Sequence, residues 1–203
     1  MDQFFFGIVT FLVIYLSIRA VRLYKNYKGN IYPHLFSSFF EYFYRYEIMK
    51  DCSKSFLLSK EIGTHRLLFS MAKNEKGEIA YHFVTVFYNK GIVVTDYLNL
   101  SGMIKSHKND VYWYVKSHKD NKEYKIGNPE IALNSYRRQI DSVLENIETK
   151  AYITLNDTAD TSGLKSEIEV VRYSDFVSLL KNRSADFISE RMILESYSKY
   201  TNK

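Results

Sequence analysis

The sequence predicts an α+β domain preceded by one N-terminal transmembrane helix, and three observations support this fold class. Residues 4–18 form an apolar run without charge. Two runs rich in β-branched and aromatic residues, 79–88 and 92–98, flank a short turn, which is typical of paired strands. Asn128-Pro129 opens a helical pattern, and no stretch between residues 30 and 200 has the composition of a linker.

The composition is that of a globular protein with room for a core. The chain has 203 residues, of which 46% are hydrophobic and 25% charged. Cys52 is the only cysteine, which excludes an intrachain disulfide and suits a reducing compartment. The net charge of +5 is modest and does not by itself establish nucleic-acid binding.

The N-terminal run is predicted to be a membrane anchor. It lacks charge from Phe4 to Ile18, and Ala20 and Val21 extend it beyond Arg19. A span needs about 20 apolar residues, and an arginine near its end can reach the headgroups. We therefore expect residues 4–21 to lie in the membrane. The alternative is a buried N-terminal helix of a soluble protein.

The charges around this run predict its orientation. Asp2 precedes it, whereas four basic residues follow it: Arg19, Arg22, Lys25 and Lys28. A secretory signal has the opposite arrangement, so the anchor is expected to remain uncleaved. Basic residues stay on the cytoplasmic side. We expect a single-pass cell-membrane protein with its N-terminus outside, an anchor and basic juxtamembrane segment at 1–28, and a cytoplasmic domain at 29–203.

Within the domain, a helix is predicted from Tyr32-Pro33 to about Lys50. Its apolar positions recur at helical spacing and are Leu35, Phe36, Phe39, Phe40, Phe43 and Tyr46. We expect this stripe to be core, with a base-stacking surface as the alternative. Strands are then expected at 65–72, 79–88, 92–98, 111–116, 123–126, 151–155 and 169–172.

A further helix begins at Asn128, which can cap it, with Pro129 at the first helical position. Its apolar face carries Leu133, Tyr136, Ile140, Val143, Leu144 and Ile147. Ser174 and Ser184 are expected to cap two closing helices, the last of which reaches about Tyr200.

A set of short motifs occurs in order along the chain: Lys90-Gly91-Ile92, Asn99, Ser101-Gly102, Ile104, Trp113 and Asn128-Pro129. This ordered set resembles the nuclease-related domain (NERD) family of the restriction-endonuclease-like PD-(D/E)xK superfamily. It covers about residues 79 to 180. The resemblance implies a mixed central sheet flanked by helices.

The positions that carry chemistry in that family differ in this chain. The resemblance places the first catalytic Asp on Phe83, the Glu on Asp96 and the Lys on Leu98. A Gln and a His of the family fall on Ala132 and Tyr136. Two acids are needed to hold Mg²⁺, and the lysine stabilises charge developing on the phosphate. We therefore expect Phe83, Asp96 and Leu98 to form a vestigial site without catalytic residues, metal or cofactor.

Alternation along the strand puts Val94, Asp96 and Leu98 on one face, so the acid has apolar neighbours. We expect Asp96 to be a solvated or hydrogen-bonded carboxylate at the rim of the sheet. The alternative is a rearranged Mg²⁺-dependent site that uses Asp96, Glu78, His82 and Lys105.

A basic cluster surrounds the strand that contains Trp113. Two similar segments, 105–110 and 116–121, supply most of it, and its candidate anion-binding residues are Lys105, Lys108, Lys116, Lys119 and Lys122. Lys125 adds to the cluster. Phosphates of nucleic acid or lipid are the predicted ligands, and two solvated turns are the alternative. The five histidines have no zinc-site spacing, and no Walker or Rossmann motif is present.

These patterns favour a membrane-anchored, catalytically silent NERD-like protein of a bacterium that acts as a binding or scaffold module. Nucleic acid or another protein is the expected partner. The alternative function is that of a membrane-tethered Mg²⁺-dependent nuclease with a rearranged active site.

Overall fold

The chain forms an α+β domain that follows one long N-terminal helix. The computed structural model describes residues 2–73, 77–107, 110–118, 120–144 and 147–202. The helices are α1 (Asp2–Lys28), α2 (Tyr32–Leu35), α3 (Phe39–Phe43), α4 (Phe56–Ile62), α5 (Pro129–Asp141), α6 (Tyr173–Asn182) and α7 (Glu190–Thr201). A π-helix at Tyr44–Met49 continues α3. The strands are β1 (His65–Lys73), β2 (Ile79–Tyr88), β3 (Gly91–Leu98), β4 (Gly102–Ser106), β5 (Tyr112–Lys116), β6 (Glu123–Gly127), β7 (Thr149–Leu155), β8 (Ala159–Leu164) and β9 (Val170–Arg172).

The strands form two sheets. The central sheet has the order β1-β2-β3-β7-β9, in which β1, β2 and β3 are an antiparallel meander and β7 and β9 are parallel additions. The second sheet has the order β6-β5-β4-β8 and is also mixed, because β8 runs parallel to β4. The expectation of an α+β fold with mixed sheets flanked by helices is thus confirmed.

The two faces of the central sheet carry separate hydrophobic cores because side chains alternate along each strand. One core joins Val84, Val86 and Val93 to residues of α2, α3, α4, α6 and the end of α1. The other joins Phe83 and Val94 to α5, α7 and the inner side of the second sheet. Helices therefore cover both faces of the central sheet.

The helix predicted from Tyr32 to Lys50 is wrong as a continuous element. The chain is extended at Phe36, and Ser38 begins α3 by accepting a hydrogen bond from the Glu41 amide at 3.2 Å. Serine competes for backbone hydrogen bonds and so favours a cap over a helix interior. The predicted stripe is divided as a result: Leu35 and Phe36 are buried, whereas Phe40 is 82% exposed and Tyr46 is also exposed.

The caps of the two closing helices also differ from the prediction. α6 begins at Tyr173, and the Ser174 amide donates to the Asp157 carboxylate at 3.0 Å. α7 begins at Glu190, and its cap is Ser189 rather than Ser184. The predicted Asn128 cap is confirmed, since its side chain accepts a hydrogen bond from the Glu130 amide.

Two strands, β4 and β8, were not expected from the sequence. The segment of β8 reads Ala-Asp-Thr-Ser-Gly-Leu, which lacks an apolar alternation. It becomes a strand by pairing with β4, where Gly102 lies opposite Ala159 and Lys105 opposite Gly163. Such a strand depends on its neighbour, which a local pattern does not reveal.

Candidate functional site

The predicted vestigial site lies where β2 and β3 meet near the middle of the central sheet. Phe83 of β2 is directly opposite Asp96 of β3, and Ile153 of β7 flanks Asp96 on its other side. Both Phe83 and Ile153 belong to the core beneath α5, and Leu98 packs against the same core. The structure therefore brings Phe83, Asp96 and Leu98 to one apolar face, which alternation along β3 predicts for Asp96 and Leu98.

Asp96 is a buried carboxyl group with one hydrogen bond. Its exposed fraction is 0%, and its Oδ1 accepts a hydrogen bond from the His82 amide at 3.1 Å. Its Oδ2 has no hydrogen-bond partner among the described residues. Burial raises the pKa of Asp96 from 3.8 to about 7, although the His82 amide acts in the opposite direction.

The expected position of Asp96 is therefore corrected in part. The hydrogen bond is present, but the carboxyl group is neither solvated nor at the rim, because β3 is the third of the five strands in its sheet. The alternation along β3 correctly predicted the side of the sheet on which Asp96 lies. It did not predict the burial of Asp96, which depends on the strands that pair with β3 on either side.

Ala132 and Tyr136, on which the resemblance places a Gln and a His, are also part of this core. Tyr136 of α5 stacks on Phe83 with ring centroids 4.4 Å apart. Its hydroxyl contacts Thr85 Oγ1 at 3.1 Å and donates to Ser70 Oγ at 3.0 Å. Ala132 packs against the same core. The stacked rings of Phe83 and Tyr136 thus cover the position where the resemblance implies metal and water, and the Tyr136 hydroxyl has hydrogen-bond partners there.

The residues of the alternative nuclease site are not gathered around Asp96. The His82 ring lies on the opposite face of the sheet, 5.7 Å from the Tyr97 ring, and burial lowers its pKa. Glu78 is exposed just before β2, and Lys105 is exposed on β4 of the second sheet. Among the described residues, no group of three or more His, Cys, Asp or Glu side chains is placed to hold a metal ion.

The glycine motifs of the resemblance have structural roles. Gly91 has a φ of +98° at the start of β3, and an added Cβ would lie 2.8 Å from the Glu148 carbonyl oxygen. Gly102 has a φ of +116°, and its added Cβ would lie 2.1 Å from the Lys116 carbonyl oxygen. Both glycines therefore permit a positive φ and a close strand approach, which other residues cannot combine.

Three of the five predicted anion-binding lysines lie within the described residues. Lys105, Lys116 and Lys122 are exposed. Lys108 and Lys119, the other two predicted anion-binding residues, lie outside the described residues. Asp120 Oδ2 is 3.9 Å from Lys122 Nζ, so Lys122 is partly neutralised.

The outer side of the second sheet combines lysines with exposed tyrosines. Tyr114 lies between Lys105 and Lys125 in the strand register, and Lys116 follows it on the same side. Tyr112 and Tyr114 are 42% and 51% exposed, and Lys125 Nζ is 4.5 Å from the centre of the Tyr112 ring. We name this surface the Tyr–Lys face, formed by Lys105, Tyr112, Tyr114, Lys116 and Lys125. Glu123, opposite Lys116, is an acidic residue at its edge.

The two tyrosines of this face were not predicted as binding residues from the sequence. The signal was present in Tyr112-Trp113-Tyr114-Val115-Lys116, where alternation separates inward Trp113 and Val115 from outward residues. Trp113 and Val115 are fully buried under the sheet. Because Trp113 and Val115 point into the core, alternation along β5 places Tyr112 and Tyr114 on its outer side.

The N-terminal helix presents its apolar side chains to the surroundings. The helical stretch Phe5–Lys28 spans 24 residues, contains an apolar window of mean hydropathy 1.8 and is long and apolar enough to cross a membrane. None of that window is buried against the protein. At 1.5 Å per residue this stretch is about 36 Å long, compared with a hydrocarbon thickness of about 30 Å. The alternative of a buried helix does not fit this exposure.

Comparisons of the chain with protein-family models, with curated proteins and with solved structures found no match.

Proposed function

We propose that this protein is a membrane-anchored binding module without catalytic activity, whose ligand is single-stranded nucleic acid. In this proposal α1 crosses the cell membrane of a bacterium, the N-terminus lies outside and the domain lies in the cytoplasm. The basic residues near the end of α1 support that orientation, because lysine and arginine favour the cytoplasmic side. They are Arg19, Arg22, Lys25 and Lys28.

We also propose a NERD-like, restriction-endonuclease-like fold for the domain. Its support is the placement of the motif residues: Gly91 opens β3, Trp113 lies in the β5–β6 hairpin and Asn128 caps α5. The central sheet is mixed and has helices on both faces, as the resemblance implies.

The proposed lack of catalysis is based on the surroundings of Asp96. A carboxylate that holds Mg²⁺ needs further oxygen ligands and access for water. Asp96 is instead enclosed among Phe83, Ile153 and the core beneath α5. Its raised pKa reflects a site that disfavours the charged form that a metal requires.

The Tyr–Lys face is the observation that supports the ligand. Bases of single strands stack on exposed aromatic rings, while nearby lysines neutralise the phosphates. Tyr112 and Tyr114 lie two residues apart on β5, with Lys105, Lys116 and Lys125 around them. An exposed sheet of this kind suits a flexible strand better than a duplex, whose bases are already stacked.

Binding of a fluorescent single-stranded oligonucleotide to the full chain tests the proposal. The chain is held in nanodiscs of neutral phosphatidylcholine, so that anionic lipid does not compete. Affinity should fall with rising salt, and Tyr114→Ala should weaken binding by about tenfold, the equivalent of one lost stacking contact. Phe187→Ala is the matched control, because Phe187 is an aromatic residue that is 77% exposed outside the Tyr–Lys face. Absence of binding even at low salt would refute the proposed ligand.

The same preparation tests the alternative of a nuclease. The full chain is incubated with single-stranded and duplex substrates in Mg²⁺ and in Mn²⁺, and the products are separated on a gel. We expect no cleavage. Cutting that Asp96→Ala abolishes would establish a rearranged active site and contradict the proposal of a silent one.

A further inference from the structure

The segment formed by α3 and the π-helix runs back along α1 toward the apolar part of that helix. At its start, the Phe39 ring contacts the rings of Tyr24 and Tyr27 with centroids 5.1 and 5.5 Å apart. At its end, Glu47 forms an ion pair with Arg19. Arg19 precedes Tyr27 by about 12 Å along the helix axis. The π-helix therefore runs antiparallel to α1 and ends near Arg19.

The covered side of α1 reaches into the stretch that we propose lies in the membrane. Leu16, Ala20 and Leu23 are half-buried and Tyr27 is buried, whereas most of their neighbours on the helix are exposed. Their spacing of three and four residues defines one side of the helix. Leu16 and Ala20 belong to residues 4–21, so the domain extends to the level of the bilayer surface.

The Arg19–Glu47 pair makes this position compatible with lipid. An arginine without a partner near the hydrocarbon is costly, and so is a lone glutamate. Here the two charges compensate each other, and Lys50 Nζ lies 3.5 Å from the same Glu47 carboxylate. The side chain of Glu47 is only 8% exposed. The Glu47 carboxylate of the domain thus neutralises the Arg19 guanidinium of the anchor.

Beside this pair, the segment exposes a row of large apolar side chains. Phe40, Tyr44 and Ile48 follow each other at intervals of four residues, and Met49 is adjacent. Their exposed fractions are 82%, 54%, 52% and 54%. We name these four residues the apolar ridge. Aromatic rings and a neighbouring lysine, here Lys50, are typical of segments at a membrane–water interface.

We propose that the apolar ridge inserts into the cytoplasmic interface of the same bilayer that holds α1, so that the domain rests on the membrane surface. This inference depends on the proposed membrane anchor. Lipid is the partner that covers the ridge. The ridge lies beside α1, and this helix continues directly from its covered side chains into the exposed apolar part that we propose lies in the membrane. The second sheet packs on the opposite face of the central sheet, which leaves the Tyr–Lys face directed away from this contact.

Quenching of added tryptophans by brominated phosphatidylcholine tests the proposal. Three full-length variants are reconstituted separately into vesicles of brominated or ordinary lipid: Ile48→Trp in the ridge, Phe11→Trp in α1 and Ile131→Trp on α5. Ile131 is the matched control, because it is 59% exposed and lies on the other side of the central sheet. The native Trp113 is fully buried and provides the background from the wild type.

We expect brominated lipid to quench the tryptophan at position 48 well above the wild-type background, and to quench the one at position 11, which lies nearer the bilayer centre, more strongly. The one at position 131 should stay near the background. Quenching at position 11 without quenching at position 48 would refute the seated ridge while leaving the anchor intact, and a second copy covering the ridge would give this result. Absence of quenching at both positions would refute the anchor and the ridge with it.

Discussion

Asp96 is an ionisable residue in apolar surroundings, and this makes the stability of the fold depend on pH. Its carboxyl group is fully buried, and its pKa is raised to about 7 because burial disfavours the charged form. In the unfolded chain the same group titrates near 3.8. Between these values the folded chain retains a proton that the unfolded chain has released. The free energy of unfolding therefore falls as pH rises through this window, by about 4 kcal/mol in total.

Asp96→Asn should remove this dependence. The amide keeps an oxygen that can accept the His82 hydrogen bond, but it does not ionise. We expect the gain in stability of the variant over the wild type to be largest at pH 8 and less than half as large at pH 5, because the window begins at the unfolded pKa of 3.8. Thermal unfolding of the full chain in detergent micelles, followed by Trp113 fluorescence, measures the difference.

Asp141→Asn is the matched control for this substitution, because the Asp141 carboxylate is 46% exposed on the surface of α5. It should leave the pH dependence unchanged. An equal stability difference between the wild type and Asp96→Asn at pH 5 and pH 8 would contradict the proton linkage.

The sequence predicted part of this site. Period-two alternation placed Val94, Asp96 and Leu98 on one face, because it depends only on local geometry. The burial of Asp96 required the register of β3 against both β2 and β7, which is set by contacts distant in sequence. The Tyr136 stack on Phe83 likewise joins residues that no short motif connects.

Among the elements, β4 depends on a single glycine. Gly102 begins the strand at a φ of +116°, close to the Lys116 carbonyl of β5. Gly102→Ala should lower the free energy of unfolding by roughly 2–4 kcal/mol, since it adds backbone strain and a clash with another strand. Urea unfolding of the full chain in micelles measures this loss. Gly63→Ala separates the two causes, because Gly63 has a φ of +77° but nothing within 4 Å of an added Cβ.

A second element-level prediction concerns the Glu41 carboxylate of α3, which links the loop before α3, the π-helix and the start of α4. Glu41 accepts hydrogen bonds from the Ser37 amide and hydroxyl, the Arg45 guanidinium and the Phe56 amide at distances of 2.7 to 3.0 Å. Burial would raise the pKa of Glu41, but these donors lower it below its usual value. The stability that the carboxylate contributes is therefore present above its unfolded pKa of 4.5 and is lost as pH falls through the lower folded value.

Glu41→Gln should cost about 3 kcal/mol of stability at pH 7, because one side-chain oxygen acceptor is replaced by a donor and Arg45, whose side chain is only 14% exposed, loses its charged partner. Glu61→Gln is the control: Glu61 pairs with Lys181 at 3.1 Å on the surface and should change stability little. Both variants are compared with the wild type by chemical unfolding at pH 7. Equal stability of Glu41→Gln and the wild type would rule out this role.

The elements with strong local signals were predicted well and the others were not. β1, β2, β3 and the start of α5 carry alternation or a cap in their own sequence. The break between α2 and α3 depends on Phe36 leaving helical geometry, although its neighbours continue the apolar spacing. A spacing pattern does not record where a helix stops when adjacent serines offer a cap.

At the scale of the whole molecule, the anchor and the domain share a core. The predicted boundary between residues 28 and 29 coincides with the end of α1. However, Tyr27 is buried in the core on the α2 side of the central sheet, and Leu23 packs against it. Tyr27 also contacts the Tyr42 ring with centroids 5.4 Å apart. The last turns of α1 therefore support the domain as well as connecting it to the membrane.

This shared core predicts that the position of a truncation decides the stability of the soluble part. A chain that begins at Gly29 lacks Leu23 and Tyr27, whereas one that begins at Leu16 keeps both. Losing two large core side chains should lower the free energy of unfolding by roughly 4 kcal/mol or more. Urea unfolding of the two truncated proteins, followed by Trp113 fluorescence, compares them directly. Identical midpoints would show that α1 only tethers the domain, whereas a lower midpoint for the shorter protein would show that the domain is built on the end of its anchor.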